Sequence, residues 1–345
     1  FDSESFGLSL NLQWEIDVWG RALNGRRAAF KDYESIDYEL SYLAFSTIIR
    51  SAQTYFQAVE ASEQLKIAEE SYASLDKIRD LVQDRFKRGL KSSLDFRLAE
   101  TSVSTAKIAI EDRKNQLHSF NRGLEIISGK YPIGLLVSNH VLPDTIPHIS
   151  VGIPADIITR RPDIKALILK VEASGLNLSQ AKRNLLPGIM LNGSVGTSAT
   201  KLRDMLNKDN KVWSLGAGIT TPLFNAGRLR TAVKIQESVV ENSKQELIQG
   251  LLLAFSEIET ILYLEESIKV KIEAISNAVN QSESAYLLSS ERYDRGVTTL
   301  ESVLNSQRQY NDIRSRYLTL KRQRIENRLS LLLAIGGSYE SQTVN

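Results

Sequence analysis

The sequence lacks cysteine and carries little net charge. None of its 345 residues is cysteine, which excludes disulfides, thiol catalysis and cysteine-bound metal centres. The 43 basic and 41 acidic residues leave a formal charge of +2, so bulk charge does not favour nucleic acid as a partner. No uninterrupted run reaches the ~18 apolar residues of a membrane helix. With 42% hydrophobic residues, the chain is nonetheless apolar enough to fold.

Proline is also scarce, and it is concentrated in one part of the chain. Five of the seven prolines lie between residues 132 and 162, whereas residues 20–131 and 223–345 contain none. Proline inside a helix costs about 3 kcal/mol. Both proline-free tracts can therefore hold very long helices.

Apolar residues recur with heptad spacing in both tracts. Between residues 247 and 279 they alternate in steps of four and three, with Glu265 as the single polar position. A similar series from residue 61 to residue 86 is interrupted by Arg79. A sustained period of 3.5 residues predicts left-handed coiled-coil packing, although the core of an ordinary helix bundle gives similar stripes.

The two tracts are copies of one unit. Three pairs of segments are separated by the same offset of 207 residues: Gly20-Arg21 and Gly227-Arg228, Arg85–Gly89 and Arg292–Gly296, and Gly129 and Gly336. We predict that each copy is an antiparallel helical hairpin whose turn contains a glycine in the left-handed conformation. The first helix would run for about 100 Å. The predicted caps of the second helices are Ser92 with Asp95 and Thr298 with Glu301.

A strictly alternating segment precedes the first copy. Its apolar positions are Leu8, Leu10, Leu12, Trp14, Ile16 and Val18, and its polar positions are Ser9, Asn11, Gln13, Glu15 and Asp17. Residues 213–223 alternate similarly and residues 189–197 more weakly, with a polar hairpin loop at 201–211. These lengths are typical of membrane-barrel strands, which need about 9 to 11 residues, and Trp19 and Trp213 would lie at strand ends as an aromatic belt.

Catalytic patterns are weak throughout. The histidines, His118, His140 and His148, show no metal-ligand spacing, and no dinucleotide loop, P-loop or nucleophile elbow is present. We therefore predict no catalytic residue, no metal site and no cofactor.

Four segments resemble a known family in order and spacing. They are Trp14–Arg21, Ile153–Ile164, Leu186–Ile189 and Pro222–Arg228. Together they are similar to the outer-membrane efflux factors, the OprM-like branch of the TolC family. The Arg-Arg-Pro-Asp segment at 160–163 is the most specific piece, and the resemblance spans essentially the whole chain.

The resemblance implies a mainly α protein with a transmembrane β part. A homotrimer would form an outer-membrane β-barrel of twelve strands and a periplasmic α-barrel of helical hairpins. Small molecules such as drugs would pass passively through this duct from an inner-membrane pump of the resistance-nodulation-division type, joined by a periplasmic adaptor. The implied domains are strands and extracellular loop (1–19, 189–223), first hairpin (20–131), connector and equatorial helix (132–188) and second hairpin with C-terminal segment (224–345).

The resemblance also implies roles for particular residues. At the periplasmic tip the gate positions would be Thr298, Glu301, Ser302 and Asn305, a polar constriction where family members often have aspartates. The adaptor would dock at Arg85, Arg88, Gly89, Arg292, Arg295 and Gly296, although helix capping alone also accounts for these residues. Ser9, Asn11, Gln13, Glu15 and Asp17 would line the lumen, and the apolar set would face outer-membrane lipid.

The beginning of the sequence departs from the family. Family members carry a further helical segment and a first strand ahead of the Trp-Glu-x-Asp motif, and often a lipidated cysteine. Three strands per chain would make nine in a trimer, whereas single-chain bacterial barrels close with even numbers. We therefore expect a fragment of a longer protein. The alternatives are a soluble coiled-coil scaffold and a non-functional truncated relative.

Overall fold

The structure is a computed structural model that describes residues 4–136, 140–146 and 160–336. Its elements in chain order are β1 (Phe6–Ile16), α1 (Arg21–Lys87), α2 (Ser93–Ile127), α3 (Pro162–Arg183), β2 (Gly188–Ala199), β3 (Lys211–Thr220), α4 (Arg228–Asp294) and α5 (Leu300–Ala334). Two short 3-10 turns, Leu202–Asp204 and Lys208–Asn210, lie between β2 and β3. Residues 153–159 of the family-like motif, His148 and the end of the predicted C-terminal segment (337–345) lie outside the described residues.

The helices repeat with the predicted offset. α1 and α4 each contain 67 residues, and α2 and α5 each contain 35. Each helix of the second copy begins and ends 207 positions after its counterpart. At 1.5 Å per residue, the longer helices extend for about 100 Å. The predicted duplication into two hairpins is confirmed.

Each long helix ends at a glycine in the left-handed region. Gly89 has φ +74° and Gly296 has φ +77°. The amide of Leu90 donates to the carbonyl of Arg85, and the amide of Gly89 donates to that of Phe86, both at 2.8 Å. This pair of bonds is a Schellman motif, which satisfies carbonyls that the helix end leaves without partners.

The predicted cap of α2 is confirmed, and that of α5 is wrong by one residue. Ser92 Oγ accepts from the amide of Asp95 at 3.1 Å. At α5, Thr299 Oγ1 accepts from the amide of Ser302 at 3.3 Å, so Thr299 is the N-cap rather than Thr298. The offset of 207 residues places Thr299 opposite Ser92, and this alignment locates the cap better than the local search for a capping box.

The three strands form one antiparallel sheet in the order β1-β2-β3. Leu12 pairs with Gly193, and Gly193 pairs in turn with Leu215. The strands contain 10 to 12 residues each, as the alternation predicts. Two predicted ends are too long, because β1 stops at Ile16 and β3 at Thr220, where the chain leaves the sheet for the helices.

The described residues fall into two compact units. The first unit contains the sheet, the start of α1, α3 and the start of α4. Within it, Ser35 Oγ donates to the carbonyl of Ala166 at 3.0 Å. A Cβ on Gly250 would lie 2.5 Å from Leu167 Cδ1, so glycine permits close packing of α4 on α3 here.

The second unit contains the rest of α1 and α4, together with α2 and α5. Two buried clusters lie among its described residues. One consists of Ala58, Val59, Leu124, Leu142 and Ile325. The other lies at the hairpin turns and consists of Val82, Ala99, Tyr293, Leu300, Val303 and Leu304. The second cluster holds the two turns together.

The predicted seam of α4 is the buried side of the helix. None of its positions between 247 and 279 is exposed, and Ala254, Ile258 and Ile268 are buried. The polar exception, Glu265, accepts a 2.6 Å hydrogen bond from Arg328. The charge of Glu265 is therefore paired inside the seam.

By length and composition alone, α4 could cross a membrane. It contains an 18-residue window with a mean hydropathy of 1.5, of which 17% is buried. The sequence of α4 contains no uninterrupted apolar run of this length, as expected. The mean of the window is high because α4 is apolar on a second side as well, where Ile248, Leu252 and Leu253 are exposed.

Candidate functional site

The sheet has one apolar and one polar face. Residues opposite each other in an antiparallel ladder share a face. On one face, Leu10 pairs with Val195, and Val195 pairs with Trp213. The apolar face comprises Phe6, Leu8, Leu10, Leu12, Trp14, Ile16, Ile189, Leu191, Gly193, Val195, Thr197, Ala199, Lys211, Trp213, Leu215, Ala217 and Ile219. Thr197 and Lys211, its polar members, lie together at the end of the sheet next to the loop.

The opposite face carries mainly glycine and polar side chains, with Glu15 as its charged member and Met190 and Val212 as its apolar ones. Here the predicted lumen residue Asn11 pairs with Ser194, whose Oγ lies 2.8 Å from Ser214 Oγ. The other members are Gly7, Ser9, Gln13, Glu15, Met190, Asn192, Gly196, Ser198, Val212, Gly216, Gly218 and Thr220. Ser9, Asn11, Gln13 and Glu15 therefore share one face, as their spacing predicts.

Asp17 has a different place from the other four lumen candidates. It lies beyond the end of β1, and its Oδ2 accepts from the amide of Leu23 in the first turn of α1 at 2.8 Å. This bond, with further ones from the amides of Ala22 and Arg21, lowers the pKa of Asp17. Asp17 therefore caps α1.

Glu15 is also tied to the start of α1. Its carboxylate forms an ion pair with Arg21, whose Nε donates to Glu15 Oε1 at 3.1 Å. Arg21 Nη1 donates to Asn184 Oδ1 at 3.3 Å. Next to this group, Trp19 Nε1 donates to the carbonyl of Pro187 at 2.8 Å. The residues of the family-like Trp-Glu-x-Asp-x-Trp-Gly-Arg segment thus connect the sheet with α1 and with the end of α3.

The two hairpin turns contact each other directly. Arg85 Nη2 lies 3.4 Å from Asp294 Oδ1, and its guanidinium lies 5.6 Å from the centre of the Tyr293 ring. Lys91 Nζ lies 4.4 Å from the same ring centre. Burial raises the pKa of Tyr293, and the charge of Asp95 adds to this effect. Tyr293 was not among the predicted site residues, although the repeat places it opposite the aromatic Phe86.

The predicted docking residues are mostly on the surface of these turns. Arg88 is paired with Asp84 at 2.9 Å, and Arg295 with Glu291, both within one helical turn. Both arginine side chains are about 70% exposed, at 68% and 71%. Arg85 is different, because its side chain is only 25% exposed and connects the two turns.

The predicted gate residues lie at the start of α5. Glu301, Ser302 and Asn305 are exposed, and Thr298 is partly buried. Ser302 belongs to the cap described above, whereas Asn305 Oδ1 accepts from Arg308 at 3.4 Å. Glu301 and Asn305 line one end of a groove of about 620 Å³, which α2 closes on the other side.

A partly buried ionic network in the second unit has no counterpart among the predictions. Arg322 pairs with both Glu60 and Glu326, and all three side chains are at most 21% exposed. Thr319 Oγ1 donates to Glu60 at 2.6 Å, and Gln57 Nε2 donates to Glu326 at 2.8 Å. Burial acts to lower the pKa of Arg322, but the two carboxylates outweigh it and raise that pKa. Arg322 and Glu326 have the local spacing of a helical ion pair, whereas no local pattern indicates Glu60, which is 262 residues from Arg322.

Arg161, in the family-like Arg-Arg-Pro-Asp segment, is a structural residue here. Its side chain is 4% exposed and donates to Glu257 Oε2 at 2.8 Å and to the carbonyl of Ala334 at 3.4 Å. Gly336 packs on the adjacent backbone, where an added Cβ would lie 3.4 Å from Arg161 N. The segment therefore holds the end of α5.

The described histidines contact the protein itself. His118 Nδ1 lies 3.0 Å from the carbonyl oxygen of Gly134, and His140 Nδ1 lies 2.6 Å from the hydroxyl of Tyr55. In the part of the chain that the structure describes, no group of three or more acidic and histidine side chains could hold a metal ion.

Comparison with known proteins matches this architecture. The family model for outer membrane efflux proteins matches residues 2–130 and 153–337. SepC of Pseudomonas putida, a probable efflux pump outer membrane protein, is 26% identical over 337 residues, which are 97% of this chain and 70% of SepC. OpmQ of Pseudomonas putida, a pyoverdine export outer membrane protein, is 26% identical over 342 residues, which are 99% of this chain and 72% of OpmQ.

The fold is also shared with solved channels. The crystal structure of CusC superposes with a TM-score of 0.91 at 25% identity, over 97% of this chain and 78% of that one. Such relatives are efflux channel proteins rather than enzymes, and the family forms trimeric channels within tripartite systems. The chain therefore belongs to the outer membrane efflux protein family and is an outer-membrane channel of a tripartite efflux system.

Proposed function

We propose that three copies of the chain form the exit duct for small molecules such as drugs. The apolar face of the sheet lies against outer-membrane lipid, and the polar face lines the water-filled lumen. The observation that carries this proposal is the strand register, which separates the two kinds of side chain across three strands. Arginine or lysine at the middle of a lipid-facing strand costs about 2 to 4 kcal/mol. Lys211, the basic residue of the apolar face, lies at the end of the sheet, where this cost is small.

The absence of cysteine from these 345 residues makes a direct test available. Neighbouring positions on one strand, Asn11 and Leu10, differ in the face they occupy. In single-cysteine variants of the full-length trimer, Asn11→Cys should react with a charged, water-soluble thiol reagent, and the modification should reduce conductance. Leu10→Cys is the matched control and should remain unreactive in the bilayer.

The two outcomes separate a channel from a soluble scaffold. Equal reactivity of both cysteines, without any change in conductance, would show that water reaches both faces and would overturn the proposal. In a channel, the difference should repeat on β3, where Ser214→Cys reacts and Leu215→Cys does not.

For the assembly, we propose that the hairpin turns dock a periplasmic adaptor, which joins the channel to an inner-membrane pump of the resistance-nodulation-division type. Arg88 and Arg295 are exposed at the two turns, and each is in a solvent-exposed ion pair within its own helix, which acidic groups of a partner can replace at little cost. The double variant Arg88→Glu/Arg295→Glu should weaken cross-linking to the adaptor. Lys107→Glu/Lys269→Glu, at exposed positions on α2 and α4, makes the same change of charge and is the control. Equal cross-linking in both variants would contradict docking at the turns.

We also propose that Thr298, Glu301, Ser302 and Asn305 form the polar constriction of the tip, and that the domain boundaries follow the sequence-based division. Three of the four gate residues are exposed on α5.

Relatives are named for toluene, pyoverdine and cation efflux. Because these cargoes differ so widely in chemistry, we assign selection of the cargo to the pump rather than to the duct.

A further inference from the structure

Positive charge is concentrated where the strands meet the helices. The last residues of β1 and β3 and the first residues of β2 lie at the same end of the sheet, since Ile16 pairs with Ile189 and Gly188 with Thr220. We call residues 15–30, 180–188 and 222–236, at this end, the junction. Its eight cationic residues are Arg21, Arg26, Arg27, Lys182, Arg183, Arg228, Arg230 and Lys234. Its two acidic residues are Glu15 and Asp17, and the whole chain has a net charge of only +2.

Most of these cations have no ion-pair or hydrogen-bond partner among the described residues. Arg21 pairs with Glu15, Lys182 lies 3.5 Å from Glu237, and Arg183 donates to Ser179. The other five are exposed and make no side-chain hydrogen bond or ion pair within the described ranges: Arg26, Arg27, Arg228, Arg230 and Lys234.

The position of these cations opposes helix stability. A helix N-terminus carries partial positive charge and favours acidic residues. α2 and α5 follow this rule, with Asp95 and Glu301 in their first turns. α1 and α4 instead begin with Arg21 and Arg228 and have no acidic residue in the first turn. Both exceptions start at the junction. At α1 the Asp17 carboxylate supplies the negative charge, because it accepts from the amide of Leu23. The start of α4 has no acidic residue, and an external anionic group is therefore expected there.

An exposed apolar collar lies between the cations and the sheet. After β3, Leu223 is 91% exposed and Phe224 is 90% exposed. After β1, Val18 and Trp19 are about half exposed, and Leu185 and Leu186 ahead of β2 are also exposed. Along each chain segment the order is apolar strand, apolar or aromatic collar, then cations. This is the order in which a protein meets hydrocarbon, the interface and lipid phosphates.

We propose that the junction binds the phosphate groups of anionic phospholipids in the periplasmic leaflet of the outer membrane. This inference rests on the proposed function, which places the apolar face in lipid and the helices in the periplasm. Arg228 and Arg230, next to Leu223 and Phe224, supply the contact on α4. Arg26 and Arg27 supply the contact on α1. The junction faces the periplasmic leaflet, because the 201–211 loop, which is expected to be extracellular, lies at the opposite end of the strands.

A second copy of the chain fits the cations less well. Within the junction, the acidic residues that a neighbouring copy could offer are Glu15 and Asp17. Glu15 is already paired with Arg21, and Asp17 caps α1. An external lipid phosphate has no such competing partner.

The test compares lipid binding by two charge-matched variants of the full-length trimer. Arg228→Gln/Arg230→Gln removes two junction cations, and Lys201→Gln/Arg203→Gln removes two exposed cations from the loop at the opposite end of the strands. Native mass spectrometry in detergent measures binding of phosphatidylglycerol, with phosphatidylcholine as the neutral probe. We expect the junction variant to bind phosphatidylglycerol roughly 25-fold more weakly, about fivefold for each arginine. The loop variant should bind it like the unmodified channel.

Conservative variants and conductance complete the test. Arg228→Lys/Arg230→Lys retains the charge and should retain binding, whereas a fold defect would affect binding of both lipids. Unchanged phosphatidylglycerol affinity in the glutamine variant, or an equal loss in the loop variant, would overturn the proposal. Both variants should still conduct in planar bilayers. An unmodified trimer that does not conduct would instead overturn the proposed function.

Discussion

Phe86 and Tyr293 occupy the same position in the two repeats, 207 residues apart, but only Tyr293 is buried. Tyr293 is 3% exposed and lies beneath Arg85 and Lys91. Phe86 is 37% exposed and stacks on Phe96, with ring centres 5.6 Å apart. The duplicated turns therefore have different roles, because one contributes its aromatic residue to the core of the other.

This asymmetry predicts unequal effects of truncation. Tyr293→Ala should lower the free energy of unfolding by about 3 to 5 kcal/mol, since it removes a buried aromatic side chain. Phe86→Ala should cost less than half as much because its ring is partly hydrated. Chemical denaturation of the two variants in detergent measures both effects. Equal losses would show that the two turns are energetically equivalent.

The glycine of the first turn and the glycine at the end of α5 should respond similarly to alanine. A Cβ added at Gly89 would meet open space, so Gly89→Ala carries only the left-handed strain of about 1 to 2 kcal/mol. Gly336→Ala carries the same strain, and its Cβ would lie 3.4 Å from the backbone of Arg160, at ordinary van der Waals distance. We therefore expect falls in melting temperature of similar size. A much larger fall for either variant would contradict the geometry.

Arg161 should contribute more to stability than its partner Glu257. Arg161→Met leaves the Ala334 carbonyl without this donor and should cost about 1 to 3 kcal/mol. Glu257 is 40% exposed, so solvent screens its charge, and Glu257→Gln keeps an oxygen that can accept from Arg161; this variant should cost at most about 1 kcal/mol. Denaturant unfolding of both single variants and the double variant tests this difference. The order would be reversed if the buried Arg161 guanidinium required the negative charge of Glu257.

Glu63 should make stability depend on pH. Burial raises the pKa of its carboxyl above the ordinary value, although the amide of Leu142 acts in the opposite direction. The folded chain then holds this proton more tightly than the unfolded chain. The contribution of Glu63 is most favourable below the unfolded pKa, near 4.5, and declines as pH rises through the folded pKa. Glu63→Gln should reduce this decline in melting temperature, and an unchanged pH profile would contradict the assignment.

The role proposed for Glu301 can be measured in the closed channel. If its carboxylate contributes to the polar constriction, Glu301→Ala should raise closed-state conductance, and Glu301→Gln should have a smaller effect because it keeps the size of the side chain. Glu283→Ala, on α4 away from the turn, is the control. Unchanged closed-state conductance of Glu301→Ala in planar bilayers would remove Glu301 from the gate.

Much of the fold was predictable from periodic patterns in the sequence. The alternation from Leu8 to Ile16 defines strand faces because successive strand side chains point to opposite sides. The 207-residue offset located both hairpins because the same helix-ending glycines recur in each copy. Gly89 and Gly296 were predictable individually, since a left-handed residue at a helix end favours glycine.

Contacts between distant residues were decided only in the tertiary structure. Asp17 fits the strand alternation, but it caps α1 because the chain leaves the sheet after Ile16. Tyr293 and Arg85 are in contact because the two hairpins pack side by side. Arg322 forms an ion pair with Glu60, which is 262 residues away in the chain. Patterns of period two and 3.5 specify which face of an element is apolar. They contain no information about which distant element covers that face, since the burial of apolar surface is non-directional.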